Sequence, residues 1–168
     1  RQSEELYGDN TAYLIKDPIA ARSGKETAGD KKPYLPVTFK QYGKDVKALG
    51  SYFMKTDLPN RRVAILGETR YEWYVSYMAT VCGFGVVVPL DKELPDVELT
   101  SLLERSEASI LIYAGSKQKS IDAIRDKVPG VKLFISMDKN EDVYFWDCIK
   151  EGNAIRSGGD LQYDKAPI

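Results

Sequence analysis

Four short apolar runs divide the middle of the chain: Val63-Ala64-Ile65-Leu66, Val86-Val87-Val88-Pro89-Leu90, Ile110-Leu111-Ile112-Tyr113 and Val131-Lys132-Leu133-Phe134-Ile135. Each of the first three leads into turn residues and then a stretch with helical periodicity, the order of βα units. Three of the runs are continuous rather than alternating, as in strands covered on both faces, and their spacing fits short βα connections. The pattern predicts an α/β fold with a mostly parallel sheet flanked by helices.

The helices announce their starts. Thr69-Arg70-Tyr71-Glu72 fits a capping box, with onset at residue 70 and an almost wholly apolar body from Trp73 to Cys82 that Gly83 ends. Pro95-Asp96 opens a surface helix with Leu99, Leu102 and Leu103 on one face. A third, from about Lys117, groups Ile121, Ile124 and Val128 before Pro129-Gly130 stops it. Upstream, Ala12–Ile15 and Tyr34–Val37 read as two strands joined by an exposed, lysine-bearing excursion. Thr38-Phe39-Lys40-Gln41 is a second capping box, opening a helix through Phe39, Tyr42, Val46, Leu49 and Phe53. Beyond Ile135 the pattern fades to one short amphipathic helix around Val143–Ile149, then Gly158-Gly159 and a polar tail. The organisation is one partial N-terminal subdomain over 1–168. It comprises a strand pair plus helix (8–55), βα units (61–136), and a short helix with a tail (137–168).

Composition narrows the function classes. With 43% hydrophobic and 29% charged residues the chain can bury a real core. A net charge of -1 with scattered lysines and arginines argues against nucleic acid as a partner. The longest apolar run, about 81–90, is too short to span a bilayer, leaving peripheral membrane contact as the form a membrane role could take. Two distant cysteines, Cys82 and Cys148, and no histidine exclude an internal zinc site or an imidazole-activated nucleophile, and suit a reducing cytoplasm. The chain opens on Arg1 and stops at Ile168 with no closing element, and so reads as an excised piece.

Each candidate for chemistry has a plainer reading. Gly83-Phe84-Gly85 follows a helix and opens a strand, the reverse of a dinucleotide fingerprint, and reads as a helix C-cap. Tyr113-Ala114-Gly115-Ser116-Lys117 lies in strand-to-helix order and could cradle an anion. It lacks a P-loop's glycine and its Gly-Lys-Ser/Thr ending, and reads as a turn with Ser116 as N-cap. Asp91 sits where open α/β sheets place ligand residues, but Gly67-Glu68 offers only one partner acid, and a turn role fits better. Trp73, Tyr74 and Tyr77 could stack on an adenine, but aromatics on so apolar a helix read as core.

Taken together, Arg62-Val63-Ala64-Ile65-Leu66-Gly67-Glu68-Thr69-Arg70-Tyr71-Glu72-Trp73 and Val81-Cys82-Gly83-Phe84-Gly85-Val86-Val87-Val88-Pro89-Leu90-Asp91 resemble the AMP-forming, adenylate-forming acyl-CoA synthetase superfamily. In that family an Arg-Val-Ala-Ile strand leads to a Glu-Trp helix, an Ala-Gly and a Val-Pro-Leu-Asp strand; here Cys82 replaces the alanine. Val37-Thr38-Phe39-Lys40-Gln41-Tyr42 and Leu94-Pro95-Asp96-Val97-Glu98-Leu99 resemble its flanking helix starts, and the likeness covers about 8–136. The resemblance implies a long-chain fatty acid–CoA ligase that joins a carboxylate to ATP and then to CoA, with Mg2+. Its phosphate-binding Thr-Ser-Gly-Thr-Thr-Gly loop does not occur in these 168 residues. The expectation is therefore no catalytic, cofactor-binding or metal residue within the chain, no activity alone, and self-association through an uncovered apolar face. A peptide-synthetase adenylation domain and a non-catalytic α/β binding or regulatory module are the alternatives.

Overall fold

The computed structural model describes residues 2–16 and 34–166. The excursion expected between the first two strands falls outside those residues. A short helix, α1 (Gln2–Tyr7), precedes strands β1 (Thr11–Lys16) and β2 (Tyr34–Thr38), which pair antiparallel. Helix α2 (Phe39–Met54) follows, then β3 (Arg62–Leu66), α3 (Tyr71–Ala79), β4 (Val86–Leu90), α4 (Asp96–Ser106), β5 (Ile110–Tyr113), α5 (Gln118–Ile124), β6 (Leu133–Ser136), β7 (Val143–Tyr144) and α6 (Phe145–Ser157).

Strands β3 to β7 form one sheet, wholly parallel, in the order β4-β3-β5-β6-β7. Because side chains alternate along a strand, Val63, Ile65, Ile110, Ile112 and Ile135 turn to one face and Ala64, Leu66, Leu111 and Tyr113 to the other. The first set packs with Leu49 and Phe53 of α2, Val75 of α3, and Phe145 and Cys148 of α6. The second set meets Leu99 and Leu103 of α4 and Ile121 and Ile124 of α5. Two hydrophobic layers thus enclose β3 and β5, which explains the unbroken apolar runs of these two strands.

Strand β4 departs from that rule. It is an edge strand, with Val86 and Pro89 exposed. The Val86 amide donates to the Arg61 carbonyl, so alternation turns the Pro89 position to the open side, where a missing N–H breaks no ladder bond. The fourth run also shifts, its strand covering 133–136 instead of 131–135.

Capping differs in detail from the expectation. Thr38 Oγ1 accepts from the Gln41 amide at 3.1 Å, but the Gln41 side chain donates forward to Asp45 at 2.8 Å, so only half of that box forms. The Thr69 box does not form at all. Arg70 is the N-cap of α3, and its guanidinium engages the Glu72 carboxylate that would have reached back. Helix α3 stops at Ala79 and widens into a π-turn over Thr80–Phe84, where Gly83 takes φ 153°, a conformation that favours glycine. Its core positions are Tyr71, Val75 and Ala79. Trp73 and Tyr77 are half-buried, pack against the margin of the core and stack with ring centroids 5.4 Å apart, whereas Tyr74 is 36% exposed and lies outside it.

The end of the chain is more ordered than its polarity implies. Helix α6 runs for 13 residues and the tail carries a 3-10 turn, Tyr163–Lys165, whose tyrosine is buried. Gly152 lets α6 approach α2 closely: a Cβ there would stand 1.9 Å from the Ala48 carbonyl oxygen.

Candidate functional site

In open parallel sheets a ligand crevice opens at the carboxyl ends of the strands, where successive connections leave in opposite directions. Here that point lies between β3 and β5, since β4 is on one side of β3 and β5 on the other. Protein groups fill it. Gly67, at φ 148°, packs so tightly against Ala114 that a Cβ would come within 2.6 Å of the alanine methyl. Asp138, just past β6, accepts from the Gly115 amide at 2.8 Å and from Arg70 Nη1 at 2.8 and 3.0 Å. The turn that could have cradled an external anion therefore holds an internal carboxylate.

Arg70 is the hub of this edge. It contacts Glu72 at 2.7 and 3.0 Å as well as Asp138, and the Glu72 side chain is only 5% exposed. Burial opposes the guanidinium charge, but hydrogen bonds and Coulomb attraction from Glu72, then Asp138, hold its pKa above the ordinary value. Next to it, the Tyr113 hydroxyl meets Asp142 at 2.5 Å, which also accepts from Arg125 at 2.5 Å, and the Asn140 amide donates to Ser136 Oγ at 2.8 Å. Burial and the Asp142 contact push Tyr113 up to about 12, so it stays a neutral donor. This edge is built to tie loops together. No sequence motif announces it, because Arg70, Tyr113 and Asp138 belong to separate βα units.

The other candidates separate in space and role. Ser116 is not an N-cap; its hydroxyl reaches Glu68 at 3.3 Å while Ala114 precedes the 3-10 turn. Asp91 accepts from the Glu93 amide at 2.9 Å, a local turn. Gly83-Phe84-Gly85 closes the π-turn through the Gly85 amide on the Thr80 carbonyl. Among the described residues no cluster of three His, Cys, Asp or Glu could hold a metal, and no helix is long and apolar enough to cross a membrane.

The cysteines differ in access. Cys82 is half-buried and Cys148 is 1% exposed. Burial pushes the Cys148 thiol up to about 12. The unfolded chain would release that proton first, near its ordinary value of 9.0, so this contribution to stability is complete below about pH 9 and is lost as pH rises toward 12. Alkylation at pH 8 is expected to label Cys82 alone, with Cys148 reacting only in denaturant. Mass spectrometry of the intact chain would check this, and native labelling of both thiols would contradict it.

The fold and its carboxyl-edge architecture define a three-layer α/β protein with an open parallel sheet. Residues 17–160 match the AMP-binding enzyme family, and the chain belongs to that family. It is 27% identical over 120 residues to a long-chain-fatty-acid–CoA ligase 1 from Cavia porcellus, covering 66% of this chain and 17% of that protein. It is 29% identical over 128 residues to a long-chain-fatty-acid–CoA ligase 5 from Rattus norvegicus, covering 72% and 18%. The chain thus spans less than a fifth of the length of these curated relatives. A long-chain-fatty-acid–CoA ligase from Archaeoglobus fulgidus superposes with a TM-score of 0.71 at 17% identity, over 90% of this chain and 28% of that one, which establishes the shared fold.

Proposed function

We infer that these residues form the N-terminal part of the large domain of an ATP-dependent carboxylate–CoA ligase, with a long-chain fatty acid as the carboxylate. In the proposed reaction a carboxylate oxygen attacks the α-phosphorus of ATP, pyrophosphate leaves, and the CoA thiol then displaces AMP from the acyl carbon. The observation that carries the reading is the family match over 17–160, which contains the whole five-stranded sheet, together with curated relatives of that activity. On this reading the segment is scaffold. The occupation of its switch-point crevice by Gly67, Ala114 and Asp138 supports that role.

The test is fatty-acid-dependent ATP–pyrophosphate exchange. The 168 residues alone are expected to give none, whereas a full-length protein carrying them and a Thr-Ser-Gly-Thr-Thr-Gly loop should exchange and release AMP. Exchange by the 168 residues alone would show that the site is within them. A full-length protein without carboxylate-dependent exchange would overturn the ligase reading.

A further inference from the structure

A cavity of about 140 Å3 lies where α1, α2, the end of α3, the π-turn and the Tyr163 turn meet. Helical spacing builds its wall. Phe39, Tyr42 and Val46 fall at i, i+3 and i+7 on one face of α2, and Met78 of α3, Cys82 of the π-turn and Tyr163 complete it. The Tyr42 hydroxyl donates to the Tyr74 carbonyl at 3.2 Å and the Tyr163 hydroxyl to the Ala79 carbonyl at 2.9 Å. With both hydroxyls engaged, that wall presents mainly carbon and sulfur.

The polar lining residues lie toward solvent. Ser3 is exposed, and Glu4 of α1 pairs with Lys47 of α2 at 2.6 Å, so the two charges neutralise each other. Gly43 makes room for this pair: a Cβ there would stand 2.7 Å from the Glu4 carboxylate oxygen. Burial, then the neighbouring Tyr13 side chain, pushes the Tyr42 hydroxyl above its ordinary value, the mark of surroundings that disfavour charge.

Size and chemistry together select the occupant. A buried water needs two to four polar partners, whereas an apolar cavity of about 150 Å3 takes up benzene or xenon. Drug-sized ligands need about 300 Å3 or more and do not fit. A carboxylate would lose its hydration without gaining a partner, with Glu4 beside it. We propose that this cavity is a binding site for a small, neutral, apolar molecule of one-ring size, with no residue in common with the carboxyl edge of the sheet. Helix α1 gives access to it. That helix has no buried residue and meets α2 through the Glu4–Lys47 pair and a Tyr7–Phe39 ring contact at 6.5 Å, and so short an element opens locally at low cost. Binding there requires neither ATP nor the ligase reaction.

The three methionines supply the test, since Met78 lines the cavity and Met54 and Met137 do not. Met137, 1% exposed, also reports that the fold is intact. In NMR of the methionine-methyl-labelled 168-residue chain, toluene is expected to shift the Met78 methyl saturably, with half-saturation on the order of 1 mM, inside the efficiency range of small ligands. Benzoate at the same concentration should leave it unmoved. Alkylation of Cys82 should slow about fivefold at saturating toluene, because occupancy covers the thiol. A Met78 methyl that stays in place up to the solubility of toluene, equal shifts at all three methionines, or an equal response to benzoate would overturn the site. Alkylation of Cys82 that continues unslowed at saturation would overturn it as well.

Discussion

Replacing Gly152 by alanine is expected to destabilise the chain by about 3 kcal/mol, the upper part of the usual range for overpacking a core. The added methyl would meet the Ala48 carbonyl oxygen at 1.9 Å and its carbon at 2.5 Å. Those are backbone atoms of a packed helix, so no rotamer change relieves the clash; α6 has to move away from α2. That movement would open the layer containing Leu49, Phe53, Phe145 and Cys148, all buried to 1% exposure or less. For a domain of this size the loss corresponds to a fall in Tm of roughly 6–12 °C. Gly130, with nothing within 4 Å of a Cβ, is the control, and Gly130→Ala should stay within about 0.5 kcal/mol of the parent. A Gly152→Ala melting curve that overlays the parent would refute the close helix crossing.

Arg70→Ala should be comparably costly, for an electrostatic reason. It removes the partner of Glu72, whose side chain is 5% exposed, and one anchor of Asp138. Breaking a buried pair leaves a charge without compensation, at about 3–5 kcal/mol; because Arg70 itself is 33% exposed, the lower end applies. The second substitution Glu72→Gln, made in the Arg70→Ala background, is expected to recover part of the loss, since a neutral amide costs less to bury than a carboxylate. Urea unfolding of the four proteins in a double-mutant cycle measures the coupling. A loss below about 1 kcal/mol in Arg70→Ala, or further destabilisation on adding Glu72→Gln, would show that water rather than Arg70 compensates Glu72.

The contrast between residues 62–91 and residues 137–166 shows what could be read in advance. In the former, hydrophobic runs and turn residues lie close together, so strand, helix and strand were legible, as was the family they resemble. In the latter, Tyr163 and Asp138 act on partners far along the chain, Ala79 and Arg70, and a polar-looking stretch gave no hint of either. Local codes misled where a tertiary partner competed: Glu72 fits a capping box but is held by Arg70, and Gln41 reaches Asp45. Trp73 and Tyr77 reach only the margin of the core, because α3 turns Tyr71, Val75 and Ala79 fully inward.

The sequence by itself determined the α/β class and the parallel central strands, because burial on two faces writes a continuous apolar run into the chain; the order of its motifs over 62–91 carried the resemblance to the family it matches. Only the tertiary structure decided that β4 is an edge, that the crevice between β3 and β5 is filled from within, and that the tail is pinned at Tyr163. Those features depend on which distant groups meet, through single contacts of a few ångströms, and no periodicity records such pairings.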